Sequence, residues 1–172
     1  GDALFIVLDV TGFTPQAPPL EEGGEHAWTL GDQQLIWLEQ TLADSHQRFK
    51  FLFMHHPVAG HGGDEIGTAY ARGGGRAAHR GEQTVVQKLA ERYGVQIIFY
   101  GHDHVFTDMT VHGVHYTLPG SAGAPWKFTD ESTGYETSDR RSGFATVDVG
   151  PERVTVDFRD VDGERFDGYS TA

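Results

Sequence analysis

The 172-residue sequence predicts an α/β fold in which a parallel βαβ unit is followed by antiparallel strands. Three observations carry that reading. Residues 49–54 and 95–100 are runs of strand length, apolar but for Lys50 and Gln96 and rich in aromatic and β-branched side chains, as expected of strands buried on both faces of a parallel sheet. Between them residues 82–93 show helical periodicity, and a strand–helix–strand order of this kind is right-handed in nearly all cases. Beyond residue 104 the pattern changes to short alternating segments at 105–111, 114–118, 144–149 and 153–159, divided by glycine turns, the mark of antiparallel strands.

Taken in order, residues 3–10 form an apolar strand, and Pro15, Pro18 and Pro19 bar regular structure from the loop that follows. Asp32 is the expected N-cap of a helix running to about Ala43, with Leu35, Leu38 and Leu42 as its buried stripe and Ile36 and Trp37 widening it. Strand 49–54 then delivers His55. The glycine-rich stretch 58–81 reads as a long loop, a length that in compact domains is usually functional or disordered. The second helix is expected to turn Val85, Val86, Leu89 and Tyr93 inward, with Gly94 as its C-cap. Asp162-Gly163 is a strong hairpin turn. A chain that opens directly on a buried-type strand needs neighbours on its edges and faces, which fits the C-terminal part of a longer domain.

Thirteen basic against twenty-five acidic residues give a formal charge of −12, so a nucleic-acid backbone is repelled over most of the surface. A small anionic ester differs, because bound divalent ions reverse the local potential. With no cysteine, disulfides, zinc ribbons and thiol catalysis are excluded, which leaves the compartment open. No run approaches the roughly 18 apolar residues of a membrane span.

The chemistry concentrates in two places. Gly101-His102-Asp103-His104 follows the strand at 95–100, and His55-His56-Pro57 ends the strand at 49–54. Open α/β sheets place their sites at the carboxyl ends of strands, where both clusters fall. In an extended segment residues two apart share a side, so His102 and His104 are expected to face one spot, with Asp103 turned away in a solvent or turn role and His56 opposite His55. These histidines read as metal ligands.

Strand, G-H-x-H and an upstream strand ending in H-x-P resemble the calcineurin-like metallophosphoesterases, the superfamily of purple acid phosphatases and cyclic-nucleotide phosphodiesterases. The segment Gly31-Asp32-Gln33-Gln34-Leu35-Ile36-Trp37-Leu38-Glu39 is similar to that family's G-x-Q-x-x-W-L helix start, and 113–125 to the small-residue loop after its Y-T/V-x-x-G strand. The resemblance implies an αββα sandwich of which this chain is the C-terminal half, and a dinuclear centre of two divalent or trivalent ions (Fe, Mn, Zn or similar) activating water against a small phosphate ester. It assigns metal ligation to His55, His102 and His104. The family's D-x-H, G-D-x-x-D and G-N-H motifs have no counterpart here, and the sequence contains no asparagine at all. The missing N-terminal half is thus the expected source of the remaining ligands.

Beside these, His56 is a candidate for proton transfer. Arg72 and Arg76 are candidates for binding substrate phosphate through their planar forks. His112 and His115 read as structural, and the acidic stretch 157–167 as a solvated face. The rival class is a non-catalytic metal-binding or interaction module that retains part of the fold.

Overall fold

The computed structural model describes residues 1–10, 30–56, 80–125 and 139–172. Strands β1 (Ala3–Val7), β2 (Phe49–Phe53) and β3 (Ile97–Phe99) lie side by side and parallel, joined by helices α1 (Gly31–Ala43) and α2 (Arg80–Tyr93). A hairpin of β4 (Phe106–Val111) and β5 (Val114–Pro119) completes the sheet in the order β1-β2-β3-β5-β4. Its strand β5 pairs parallel with β3 while pairing antiparallel with β4, so the first sheet is mixed. Strands β6 (Gly143–Val149), β7 (Val154–Asp160) and β8 (Arg165–Thr171) form a second, antiparallel sheet.

Period-two alternation divides the core into two layers. On one face of the first sheet Ile6, Leu52, Ile98 and Tyr116 pack with Leu38 and Leu42 of α1 and Val86 and Ala90 of α2. On the other, Phe49, Phe51, Ile97 and Phe99 meet Val154, Val156 and Phe158 of β7. Burying each such side chain is worth about 1.5–3 kcal/mol, and both faces of β2 and β3 are occupied. The strands that carry the histidines are therefore the best anchored in the molecule.

Several expectations are corrected. Asp32 does not cap α1; Leu30 holds the N-cap position without a side-chain hydrogen bond, and Asp32 falls in the first turn, where its charge suits the helix dipole. Ile36 and Trp37 are exposed and do not widen the buried stripe. In α2, Val85 is exposed, while the polar Gln83 and Gln87 are buried beside Val86 and Ala90. Gly94 ends that helix with φ 66°, the left-handed geometry expected of a C-terminal glycine. The acidic stretch 157–167 is a turn and an additional strand, β8, as well as a polar surface. Within it the Arg165 Nε–H donates to Asp157 at 2.7 Å, and Asp157 also pairs with Arg159 at 3.2 Å.

Among the described residues the layer between the sheets is open on one side. Tyr169 of β8 stacks on His115 of β5 at 4.2 Å. Phe5 stacks toward Phe51 and Phe53 from the inter-sheet side of β1, yet Phe5 is 58% and Val7 72% exposed. In β6, Val147 and Val149 share a face with the buried Val156 and Val154 and are themselves exposed. Apolar side chains aimed into a core layer but left wet favour association. The chain is expected to self-associate as its concentration rises in sedimentation velocity, and Val7→Lys, a charge on an edge strand, to suppress this without lowering the urea midpoint. A second expectation concerns acid. The Arg165 hydrogen bond holds the Asp157 carboxyl below its ordinary range, so its stabilisation is present above the unfolded value and lost as pH falls through the folded one. Asp157→Asn should accordingly flatten the acid limb of a stability–pH curve.

Candidate metal centre

Parallel pairing of β2 with β3 in the register Phe53–Phe99 brings both histidine clusters to the same edge of the sheet. The Met54 amide donates to the Phe99 carbonyl at 3.0 Å, and one step further the Gly101 amide donates to the His55 carbonyl at 3.0 Å. A Cβ built on Gly101 would lie 3.4 Å from His55 Nδ1, an ordinary van der Waals contact, so the imidazole rests close against the backbone. His55 Nε2 stands 3.3 Å from His102 Nδ1. The His56 ring lies 4.9 Å from that of His55 and 4.7 Å from that of His102. One ring nitrogen from each of His55, His56 and His102 falls within 4.8 Å of the others.

His56 was expected to face away from His55, and it does not. Strand β2 ends at Phe53, so the alternation that separates neighbours in a strand no longer governs residues 55 and 56, which lie in a bend. His56 is 4% exposed, whereas His55 is at the surface. The cluster is thus a buried imidazole, a half-buried one and an exposed one at one strand edge.

The Gly101–His104 segment is not extended either. His102 has φ 75° and His104 φ 57°, and the Asp103 amide donates to the Gly101 carbonyl at 3.0 Å, a γ-turn centred on His102 in its rare, strained form. Left-handed backbone at a residue with a Cβ costs roughly 1–3 kcal/mol. The turn buries Asp103 completely, in place of the solvent position expected for it, and aims His102 at His55. His104 is outside the three-histidine group among the described residues. Its Nδ1 lies 2.7 Å from the carbonyl oxygen of Pro125. With Nδ1–H as the donor, Nε2 keeps its lone pair, the arrangement that orients a metal-binding histidine.

The donor set suits a transition ion. Tetrahedral Zn–N bonds of about 2.0–2.1 Å set nitrogen ligands about 3.3–3.4 Å apart, which matches the His55–His102 separation of 3.3 Å. Imidazole also suits Fe, Ni and Cu. Among the described residues no carboxylate joins the group. Arg72 and Arg76 lie outside the described residues. His112 and His115 have the structural roles expected of them, His112 Nδ1 at 2.8 Å from Glu91 and His115 Nδ1 at 2.8 Å from Asp108.

The family profile of the calcineurin-like phosphoesterases matches residues 5–106, a span that includes both histidine clusters. The chain belongs to this family. Tartrate-resistant acid phosphatase type 5 of Oryctolagus cuniculus is 26% identical over 180 residues, covering 95% of the chain and 48% of that protein. The chain thus spans about half the length of this curated relative. Among solved structures, a purple acid phosphatase from yellow lupin (Lupinus luteus) seeds superposes with TM-score 0.60 at 19% identity, over 83% of the chain and 28% of the lupin protein. PhoD gives TM-score 0.64 at 14% identity, over 99% of the chain and 38% of that structure. GAP50, described as the anchor in the inner membrane complex of Plasmodium, gives TM-score 0.62 at 13% identity, over 97% and 47%. These structural likenesses bear out the mixed α/β fold of the family.

Two outcomes are expected of the centre. Spectroscopic titration with Co²⁺ should show one ion per chain, and His102→Gly should weaken it at least about tenfold, the loss associated with disturbing a metal-binding histidine. In EDTA the same variant should unfold at higher urea, by roughly 1–2 kcal/mol, because glycine removes the left-handed Cβ penalty.

Proposed function

We propose that this chain is the C-terminal half of a metal-dependent phosphoric ester hydrolase, and that His55, His102 and His104 are its contribution to a centre of two ions. The observation that carries the reading is the meeting of His55 and His102 at one sheet edge, 3.3 Å apart, inside the span matched by the family profile. His104 is assigned ligation on its tautomer, since donation to Pro125 leaves Nε2 for a metal. His56, buried beside both other rings, is assigned the proton passed to the leaving group, a role imidazole suits near neutral pH.

When bound, the ions supply neutralisation of charge on the phosphoryl oxygens and a lowered pKa of water. The protein's own part is positional. The β2–β3 register fixes His55 against His102, the γ-turn points His102 inward, and the fully packed strands beneath keep that geometry rigid. Arg72 and Arg76 are assigned to the anionic ester by the fit of a guanidinium to phosphate oxygens. Carboxylate ligands come, in this reading, from polypeptide packed against the open side at β1 and β6, where Phe5, Val7, Val147 and Val149 lack cover.

The rival reading, a non-catalytic metal-binding or interaction module, is favoured by the absence of any asparagine and of any described carboxylate in the histidine group. One comparison separates them. The chain alone should hydrolyse p-nitrophenyl phosphate little above background, while a version carrying the preceding half of the domain should turn it over with dependence on added Mn²⁺ or Zn²⁺. In that longer protein His104→Ala should lower metal content, and His56→Ala should retain metal while losing roughly 10²–10⁴-fold in kcat, the range of general acid–base catalysis. A metal-loaded longer protein without turnover would establish the module reading instead.

A further inference from the structure

The edge strands β4 and β8 do not close on each other, and between them lies a cavity of about 400 Å³, within the size range of small-molecule sites. Its apolar wall is a cluster of rings: Phe106 stands 5.2 Å from Phe158 and 5.0 Å from Phe166, and Phe158 lies 6.5 Å from Tyr169. Its polar wall consists of carboxylates held in place. Asp108 receives the Thr117 hydroxyl at 2.6 Å and His115 Nδ1 at 2.8 Å; Asp167 receives the Gly168 amide at 2.8 Å. Asp139, at the rim, is held by Arg141 Nε at 2.9 and 3.0 Å. None of these groups belongs to the histidine centre.

We propose that this cavity binds a small organic ammonium cation. Three arguments select that class. The lining carries three carboxylates on a chain of formal charge −12, which disfavours phosphate and other anions. The same carboxylates do not form a group close enough to hold a bare metal ion, the histidine group being the only such group among the described residues. With Asp139 already paired to Arg141, a cation entering beside Asp108 and Asp167 meets the rings as well, which favours one that carries its charge on an apolar frame. The protein itself shows the binding mode at the rim, where the Arg141 guanidinium sits 3.9 Å above the Phe166 ring while paired with Asp139. Deeper in the cavity Phe158 and Tyr169 offer further ring surface beside Asp108 and Asp167.

The Tyr169 hydroxyl, pushed up from its ordinary value by burial and then by the negative charge of Asp108, stays neutral, and its contact with Thr117 ties the carboxylate to the ring wall. The pocket is therefore organised before a ligand arrives, which lowers the entropic cost of binding.

The test uses choline as cationic probe and 3,3-dimethyl-1-butanol as its uncharged isostere, followed by saturation-transfer NMR and calorimetry on the chain in EDTA. Choline should bind saturably in the millimolar range and at least about tenfold more tightly than the alcohol. Asp167→Asn and Phe166→Leu, each checked for folding by circular dichroism, should each weaken choline several-fold, while His102→Gly should leave it unchanged. Equal binding of alcohol and choline, displacement of choline by Mg²⁺ supplied equimolar to choline after the chelator is dialysed away, no saturable binding, or insensitivity to both cavity variants would overturn the proposal. Because the readout is binding in EDTA, its failure is distinct from failure of the phosphoesterase reading.

Discussion

One backbone hydrogen bond decides where the chemistry can be: the Gly101 amide donating to the carbonyl of His55. It extends the parallel ladder of β2 and β3 one step beyond their last paired residues, at the point where both strands stop alternating and begin to turn. A slip of register would part His55 from His102 by several ångströms and reverse every side chain of one strand between the two core layers. The register is in turn locked by Phe49 and Phe51 on one face and Leu52 on the other, so that the cost of misplacing the histidines is the cost of unpacking the core.

The layer that locks the site is unevenly covered among the described residues. Three strands of the second sheet cover β2, β3 and the hairpin but not β1, and the inward-aimed Phe5 and Val7 stay wet beside Val147 and Val149. Among the described residues the histidine edge is well supported from below, while Phe5 and Val7 of β1 are exposed.

Much of this was legible in the sequence because strong signals coincide there. The runs at 49–54 and 95–100 are apolar but for Lys50 and Gln96, with apolar side chains on both faces, so their burial and parallel pairing were legible, and Gly94 marked its helix end because few other residues accept φ 66°. The failures occur where alternation or periodicity is extended past its domain. His56 and the Gly101–His104 segment were read as strand, yet the backbone had already turned, bringing His56 in and giving His102 and His104 positive φ. Val85 is apolar and exposed while Gln83 and Gln87 are buried, because the face of α2 is set by what it packs on rather than by its own hydropathy. Strand β8 was hidden by its charges, which the structure places in ion pairs and turn contacts with β7.

The left-handed backbone at His102 and His104 has a consequence for how the site can change with time. At such positions glycine, asparagine and aspartate are the replacements the backbone tolerates most readily, whatever their chemistry. A lineage released from metal chemistry would therefore drift along a narrow channel toward those residues, relieving strain at each step. On the proposed metal reading two imidazoles stand against that gradient, and glycine or asparagine in their place in a homologous chain would mark the loss of a ligand.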